Sequence, residues 1–422
     1  MDALAVNGRA SQDHRGNYMT DRELSSRTEA TRRLLAERTR LLNDAPSEGV
    51  PLTKVDGRSL AKPIVAGADV PAHDVATMDG FAFAADDAYP LQIVDDAVAP
   101  EDDPPSLDPG KTVPVATGAP LPPSATAVLK REEADCDGTA LRGPPIEAGA
   151  NVYRQGSSVT AGEILAERGE VLTPKDAALL RDIGRETVPV AERFAVAVLA
   201  TGTEIHEGVQ PDRDSEMLAG LVDEWGHEPT LVGSVPDESE RVRDRIDDLA
   251  GSYDVVVTTG GTSVGRGDHA VDALGGLGEL LFRGVALRPG RPVTAARLDD
   301  GTVVAALPGK PVAALFAATL VCRPLFEGAD ATEPLPTLTA TLRRDLGVPD
   351  DAMKYAVPVS LTGEGAMPLG HVDSGIRIFR RRYRPGRLAA STRATRADAV
   401  WITDQGGEKG DSIAVVPTEV VQ

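Results

Sequence analysis

Apolar positions fall at helical spacing in one early segment. Between Arg27 and Leu42, the residues Ala30, Leu34, Leu35, Leu41 and Leu42 share one helical face, and Arg and Glu fill the other. Pro46 and Gly49 end that segment, and the polar, aperiodic residues 1–16 before it read as disordered. From Pro63 to Ala150 the pattern changes to short Val, Ile and Leu segments separated by Pro, Gly and Asp. Leu91–Val94, Thr112–Val115 and Ala125–Leu129 are expected to be strands of a small β domain.

A third pattern begins at Arg193. Phe194–Thr201 is a nearly unbroken apolar run, as a strand buried on both faces requires. A helix (Ser215–Trp225), a strand (Pro229–Val235), a helix (Glu238–Leu249) and a strand (Asp254–Thr259) follow. That alternation predicts a doubly wound, parallel α/β sheet with helices on both faces. Ligands of such sheets bind beyond the carboxyl ends of the strands. Residues 331–422 return to short strands, as in a barrel or sandwich. The expected blocks are residues 17–62 with 156–190, an inserted β domain at 63–155, an α/β domain at 191–330 and a β domain at 331–422.

Composition narrows the function classes. The 422 residues include 41% apolar residues, enough for about three cores. The longest apolar run, Pro311–Cys322, falls short of the roughly 18 residues of a membrane span. The opening MDALAVNGRASQDHRG lacks the apolar stretch of a signal peptide, so a cytoplasmic protein is expected. A net charge of −21 argues against general nucleic-acid binding, because an acidic field repels phosphate backbones. Only eight of the 44 basic residues are Lys. Many carboxylates with few Lys suggest a halophilic, haloarchaeal source, where excess surface carboxylate keeps proteins hydrated in salt; an ordinary acidic bacterial protein is the alternative. Cys136 and Cys322 share no metal-ligand spacing and read as free thiols.

Five segments carry candidate chemistry. Thr258–Asp268 (TTGGTSVGRGD) follows a buried strand; its glycines Gly260, Gly261 and Gly265 and its hydroxyl Ser263 suit a phosphate, and Asp268 could hold a metal. Read alone, it is equally a plain glycine-rich turn. Arg288-Pro289-Gly290-Arg291-Pro292 sets two guanidiniums about a rigid turn, suited to an oxyanion. Leu307-Pro308-Gly309-Lys310-Pro311 opens the Val312–Cys322 segment, whose exposed helix N-terminus would attract an anion; a plain strand-to-helix connection is the equal alternative. Thr201-Gly202-Thr203-Glu204 puts a carboxylate at a strand's carboxyl end. Asp214 and Asp237 each precede a helix, and Asp214 reads as an N-cap. Met78-Asp79-Gly80 reads as a hairpin turn or a site. Together these describe a site for an anionic, metal-bridged ligand.

Taken in chain order, the segments resemble the molybdopterin molybdenumtransferase family (MoeA type). The family's motifs include S-A-M-D-G-Y-A, T-G-A-P-x-P, S-T-G-x-E, S-G-G-x-S-x-G, K-P-G-K-P and L-P-G-N-P. This chain has Thr77–Ala82, Thr117–Pro122, Ala200–Glu204, Thr259–Gly265, Arg288–Pro292 and Leu307–Pro311. The resemblance implies an enzyme of molybdenum cofactor biosynthesis. It would insert molybdate or tungstate into adenylylated molybdopterin and release AMP, with Mg²⁺ as cofactor. It also implies four domains, with the first serving dimerisation and the last a β-barrel, and a homodimer whose cleft is shared between subunits.

Carried over by position, the resemblance implies that Asp268, Glu204, Asp237 and Asp79 are catalytic, with Glu204 and Asp268 at the metal and Asp79 serving the partner's cleft. Thr201, Gly202, Gly260, Gly261, Ser263, Gly265, Arg288, Arg291, Pro308, Gly309 and Lys310 would hold the substrate. Six positions depart from the pattern: Arg288 and Arg291 for two lysines, Lys310 and Glu216 for two asparagines, and Ser157-Ser158 for Glu-Asp. The alternatives are a non-catalytic pterin- or nucleotide-binding paralogue acting as carrier, scaffold or regulator, and the preceding adenylyl-transfer step.

Overall fold

The computed structural model describes residues 24–94, 96–260, 273–328 and 334–420. Residues 1–16 lie outside these. The described residues form two compact units, one from residues 49–55 and 60–190, the other from 24–48, 56–59 and 191–420.

The larger unit is built on a six-stranded sheet. Its strand order is Glu228–Val235, Ala195–Thr201, Val255–Thr259, Val303–Leu307, Thr294–Leu298, Gly278–Arg283. The first four strands are parallel, with Val196 opposite Val255 and Val255 opposite Val303. Thr294–Leu298 runs against them and Gly278–Arg283 turns back to their direction, so the sheet is mixed where a wholly parallel one was expected. Connection length explains the difference. Only Asp299–Thr302 join Thr294–Leu298 to Val303–Leu307, whereas a parallel crossover needs a dozen or more residues.

Alternate residues of the central strands feed two cores. Val196, Val198, Val255, Val257, Val303 and Ala305 pack with Leu218, Leu221, Leu315 and Phe316 on one face. Ala197, Leu199, Val256, Val304 and Ala306 pack with Val242, Ile246 and Leu249 on the other. Both faces are therefore covered by helices.

The predicted early helix runs Arg27–Asp44, with Ser26 as N-cap accepting from the Glu29 amide at 3.1 Å. Its apolar face buries Ala30, Leu34, Leu41 and Leu42 in the first core. Charged residues also lie on that face. Arg38 is buried and donates from Nε to the Phe326 carbonyl (2.9 Å) and from Nη2 to Ser59 (2.7 Å).

The apolar segment expected as one helix is α-helical only over Pro311–Ala317, then widens to a π-turn over Ala318–Cys322. Thr319 Oγ1 donates to the Leu315 carbonyl at 2.9 Å, competing with the main-chain ladder. Pro324 has no amide to offer the Leu320 carbonyl, and Arg27 Nη1 donates there instead at 3.1 Å.

A second sheet in this unit is ordered Leu287–Arg288, Lys354–Thr362, Ala399–Thr403, Ser412–Pro417, Leu338–Thr341, with Gly365–Pro368 on Lys354–Thr362. A bridge from Leu342 to Ala366 brings its two ends together. Leu287–Arg288 pairs in parallel with Lys354 and Tyr355. The oxyanion-type segment thus begins as a strand of this second sheet.

The smaller unit holds a six-stranded sheet ordered Ala127–Lys130, Gly80–Phe83, Lys111–Val115, Leu91–Ile93, Ala140–Arg142, Asp135–Asp137. Gly80 is required in this sheet, because a Cβ there would lie 2.1 Å from the Leu129 carbonyl oxygen. A separate core gathers Leu52, Leu60, Leu172, Leu180 and Val190 around the helix Asp176–Asp182.

His227 reports on the first core of the larger unit. It stacks on Phe194 at 4.5 Å, accepts the Phe194 amide at Nδ1 (3.1 Å) and lies with Nε2 3.2 Å from the Phe326 carbonyl. Burial pushes its imidazole down to about 4. Folded His227 is therefore neutral where the unfolded residue, with its ordinary value near 6.5, is already charged. Its contribution is complete above the unfolded value and lost as pH falls from about 6.5 toward 4. Chemical denaturation should show it withdrawing about 2 kcal/mol of stability between pH 7 and 4.5. The non-titrating His227→Gln variant should show a smaller decline; equal declines would exclude His227 as the source.

Candidate functional site

The carboxyl ends of three parallel strands meet at very short range. Gly260 has φ +97°, and a Cβ there would lie 2.0 Å from the Thr201 carbonyl oxygen. A Cβ on Gly309 would lie 2.8 Å from the Gly260 Cα. Thr201 Oγ1 donates to the Thr259 carbonyl at 3.2 Å. Only glycine permits this contact of backbones, and it forms the floor of a cleft of 590 Å³.

The cleft gathers most of the residues singled out in the sequence. Thr201, Gly202, Glu204, Asp237, Gly260, Arg288, Arg291, Pro308, Gly309 and Lys310 all line it. Gly202, at φ +147°, starts the short helix Thr203–His206 that carries Glu204. The Asp237 amide donates to Thr203 Oγ1 at 3.2 Å, tying the second carboxylate to the first one's turn. Two carboxylates and three cations thus face one space. Gly261, Ser263, Gly265 and Asp268 lie outside the described residues.

Asp79 belongs to the smaller unit. Its carboxylate accepts from both the amide and the hydroxyl of Thr117, each at 2.8 Å. The Thr117 hydroxyl, then its amide, hold that carboxyl below the usual range. Two motifs thirty-eight positions apart therefore form one turn.

Two expectations about helix ends need correction. Asp214 occupies the N-cap position of Ser215–Glu224, but its side chain makes no capping bond. It is buried; Oδ2 accepts from Thr259 Oγ1 at 3.3 Å and Oδ1 has no partner. Burial pushes the Asp214 carboxyl up to about 6. Its φ of −112° and ψ of −36° are outside the extended geometry that a capping side chain needs. The helix N-terminus at Pro311 is also less open than expected, because the Val312 amide donates to the Ala389 carbonyl at 3.0 Å.

Sequence reasoning missed Asp351 and Tyr355. Asp351 pairs with Arg288 at 3.7 Å and accepts from Tyr355 Oη at 2.9 and 3.0 Å. Desolvation, then the Asp351 bond, pushes the Tyr355 hydroxyl up to about 12, so it stays a donor. The pair holds Arg288 from behind, and no local motif announces it. Pro385 and Gly386, in the arginine-rich segment Arg377–Arg387, and Ala389 just beyond it line the cleft, and Lys310 Nζ donates to the Gly386 carbonyl at 3.4 Å.

Comparison with known proteins decides the class. The "MoeA N-terminal region (domain I and II)" family profile matches residues 25–184, and the "Probable molybdopterin binding domain" profile matches residues 197–328. The chain is 32% identical over 298 residues to molybdopterin molybdenumtransferase 2 of Mycobacterium tuberculosis, covering 65% of this chain and 73% of that one. The chain belongs to the molybdopterin molybdenumtransferase family. The Synechococcus elongatus molybdopterin molybdenumtransferase is 32% identical over 299 residues, covering 66% and 74%. A molybdopterin biosynthesis MoeA protein from Pyrococcus horikoshii superposes with a TM-score of 0.69 at 25% identity, over 93% of this chain and 99% of that one. The fold is thus MoeA-like, and the cleft lies in the larger unit, chiefly on the segment matched by the molybdopterin-binding profile.

Because the floor depends on Gly260, Gly260→Ala should cost about 3 kcal/mol through its positive φ and the clash with Thr201. Denaturant unfolding measures this. A variant within about 0.5 kcal/mol of wild type would show that the strand ends can separate without loss.

Proposed function

We propose that this cleft binds adenylylated molybdopterin and inserts an oxyanion of molybdenum or tungsten, with release of AMP. Membership in the molybdopterin molybdenumtransferase family makes the chain a molybdotransferase of molybdenum cofactor biosynthesis. The observation that supports the cleft as its site is the convergence of Arg288, Arg291 and Lys310 with Glu204 and Asp237 at the carboxyl ends of the parallel strands.

In this reading Arg288 and Arg291 present the oxyanion to the dithiolene sulfurs. Asp351 and Tyr355 keep the Arg288 fork from swinging into solvent. Lys310 and the Gly260–Gly309 floor receive the phosphate side of the substrate. Positioning of opposite charges accounts for most of the rate effect.

The donor set suits Mg²⁺, which uses one or two carboxylates and keeps its remaining sites for water and phosphate. Among the described residues no group of three His, Cys, Asp or Glu side chains could enclose a metal. Glu204 with Asp268 would hold the ion, and bound there it would neutralise charge on the departing phosphate. Asp237 completes the acidic side of the cleft.

Asp79 serves the cleft of a second copy in a homodimer whose first domain provides the dimer contact and whose last is a β-barrel. The acidic, lysine-poor composition supports a cytoplasmic enzyme working in concentrated salt. Among the described residues no helix is long and apolar enough to cross a membrane.

Single-turnover AMP release from adenylylated molybdopterin, in molar KCl with Mg²⁺, tests the reading. Wild type should release AMP only when molybdate or tungstate is added. Arg288→Ala and Asp268→Asn should each slow that release about 100-fold. Tight substrate binding without release by wild type would instead identify a carrier or regulatory paralogue.

A further inference from the structure

The arginine-rich segment that walls the cleft also lines a second cavity, of 470 Å³. Four stretches of chain meet there and are pinned by main-chain bonds. Gly347 donates to the Arg381 carbonyl (2.7 Å), Leu346 to Gly407 (2.8 Å) and Val372 to Phe379 (2.8 Å). These bonds bring Arg344, Arg380, Arg381 and Lys409 to one cavity, with Asp345 and Asp373 as its carboxylates.

The carboxylates are already engaged. Asp373 accepts from Arg344 Nε at 2.6 Å. Asp345 pairs with Arg381 at 3.5 Å and accepts the Lys409 amide at 2.9 Å. The Arg380 guanidinium and the Lys409 ammonium have no ion pair or side-chain hydrogen bond among the described residues; Arg380 acts on Asp373 only at longer range. His371 also lines the cavity and accepts the Asp373 amide at Nδ1 (3.1 Å). With Nδ1 accepting, the ring hydrogen sits on Nε2, for which no described residue serves as acceptor; Nδ1 also lies 3.7 Å from an Asp373 carboxylate oxygen.

Carboxylates outnumber cations 65 to 44 in this chain, so spare anionic side chains are plentiful, yet two cations on a fixed frame are left without one. Exposed cations are commonly just solvated. Here they share a concave site with a nine-tenths-buried imidazole donor, and a guanidinium fork beside an ammonium matches a tetrahedral dianion.

We propose that this cavity is a second anion site, separate from the cleft, that takes a phosphate-type dianion on Arg380, Lys409 and His371 Nε2. Inorganic phosphate and a phosphate monoester present the same oxygens, so both serve as probes.

Isothermal titration at fixed ionic strength, with phosphate and separately with AMP, would compare wild type, Arg288→Gln and the double variant Arg380→Gln/Lys409→Gln. Both double-variant positions are exposed, and thermal unfolding would confirm an intact fold. The double variant should lose one equivalent of bound phosphate, or weaken it about tenfold, while Arg288→Gln keeps that equivalent. Tighter binding of AMP than of phosphate at the same equivalent would identify the monoester as the ligand; equal or weaker binding would identify the free ion. Unchanged stoichiometry and affinity in the double variant, or no binding of either probe to wild type beyond an ionic-strength control, would overturn the proposal.

Discussion

At Gly260 the chain turns in a space that the Thr201 carbonyl would deny to any side chain, and Gly309 rests against Gly260 in turn. This contact sets the depth of the cleft. Three strand ends drawn together leave no room for side chains on the floor, so the lining groups must reach in from the turns that follow. Glu204 and Asp237 come from turns on one side, Arg288 and Arg291 from the proline-rich segment, and Lys310 from the helix approach. The apolar strands behind, buried on both faces, hold that floor in place.

The cleft is assembled by two sheets of the same unit. Leu287–Arg288 is a strand of the second sheet, whereas Thr201, Gly260 and Pro308 terminate strands of the first. The ion pair of Arg288 with Asp351 and the bond from Tyr355 belong to the second sheet's side. Lys310 reaches the Gly386 carbonyl from the first.

Local sequence carried much of this. The Phe194–Thr201 run, the glycines after Thr259 and the proline-flanked arginines mark strand ends and turns by steric need alone, and ten of the marked residues line one cleft. Long-range partners were not legible. Asp351 lies sixty-three positions from Arg288 and sits in no motif. Asp214 looked like a cap because residue type predicts capping, but its backbone angles and burial turn the carboxylate toward Thr259. The reversal of Thr294–Leu298 was readable in principle from the short Asp299–Thr302 connection. The π-turn needed Thr319, Pro324 and the distant Arg27 to be considered together.

Arg288 and Arg291 are close in sequence but anchored differently. Arg288 is laced to Tyr355 in the second sheet, and the Arg291 carbonyl is bonded to the Val285 amide in the connection that leaves the first. The gap between the two residues' backbones is therefore a gauge of how the sheets are seated. Any shear between them would open or narrow that gap, and oxyanions differ in the width they require. Discrimination by ion size would then be a property of the whole carboxyl-terminal half of the chain, including residues far from any bound ion.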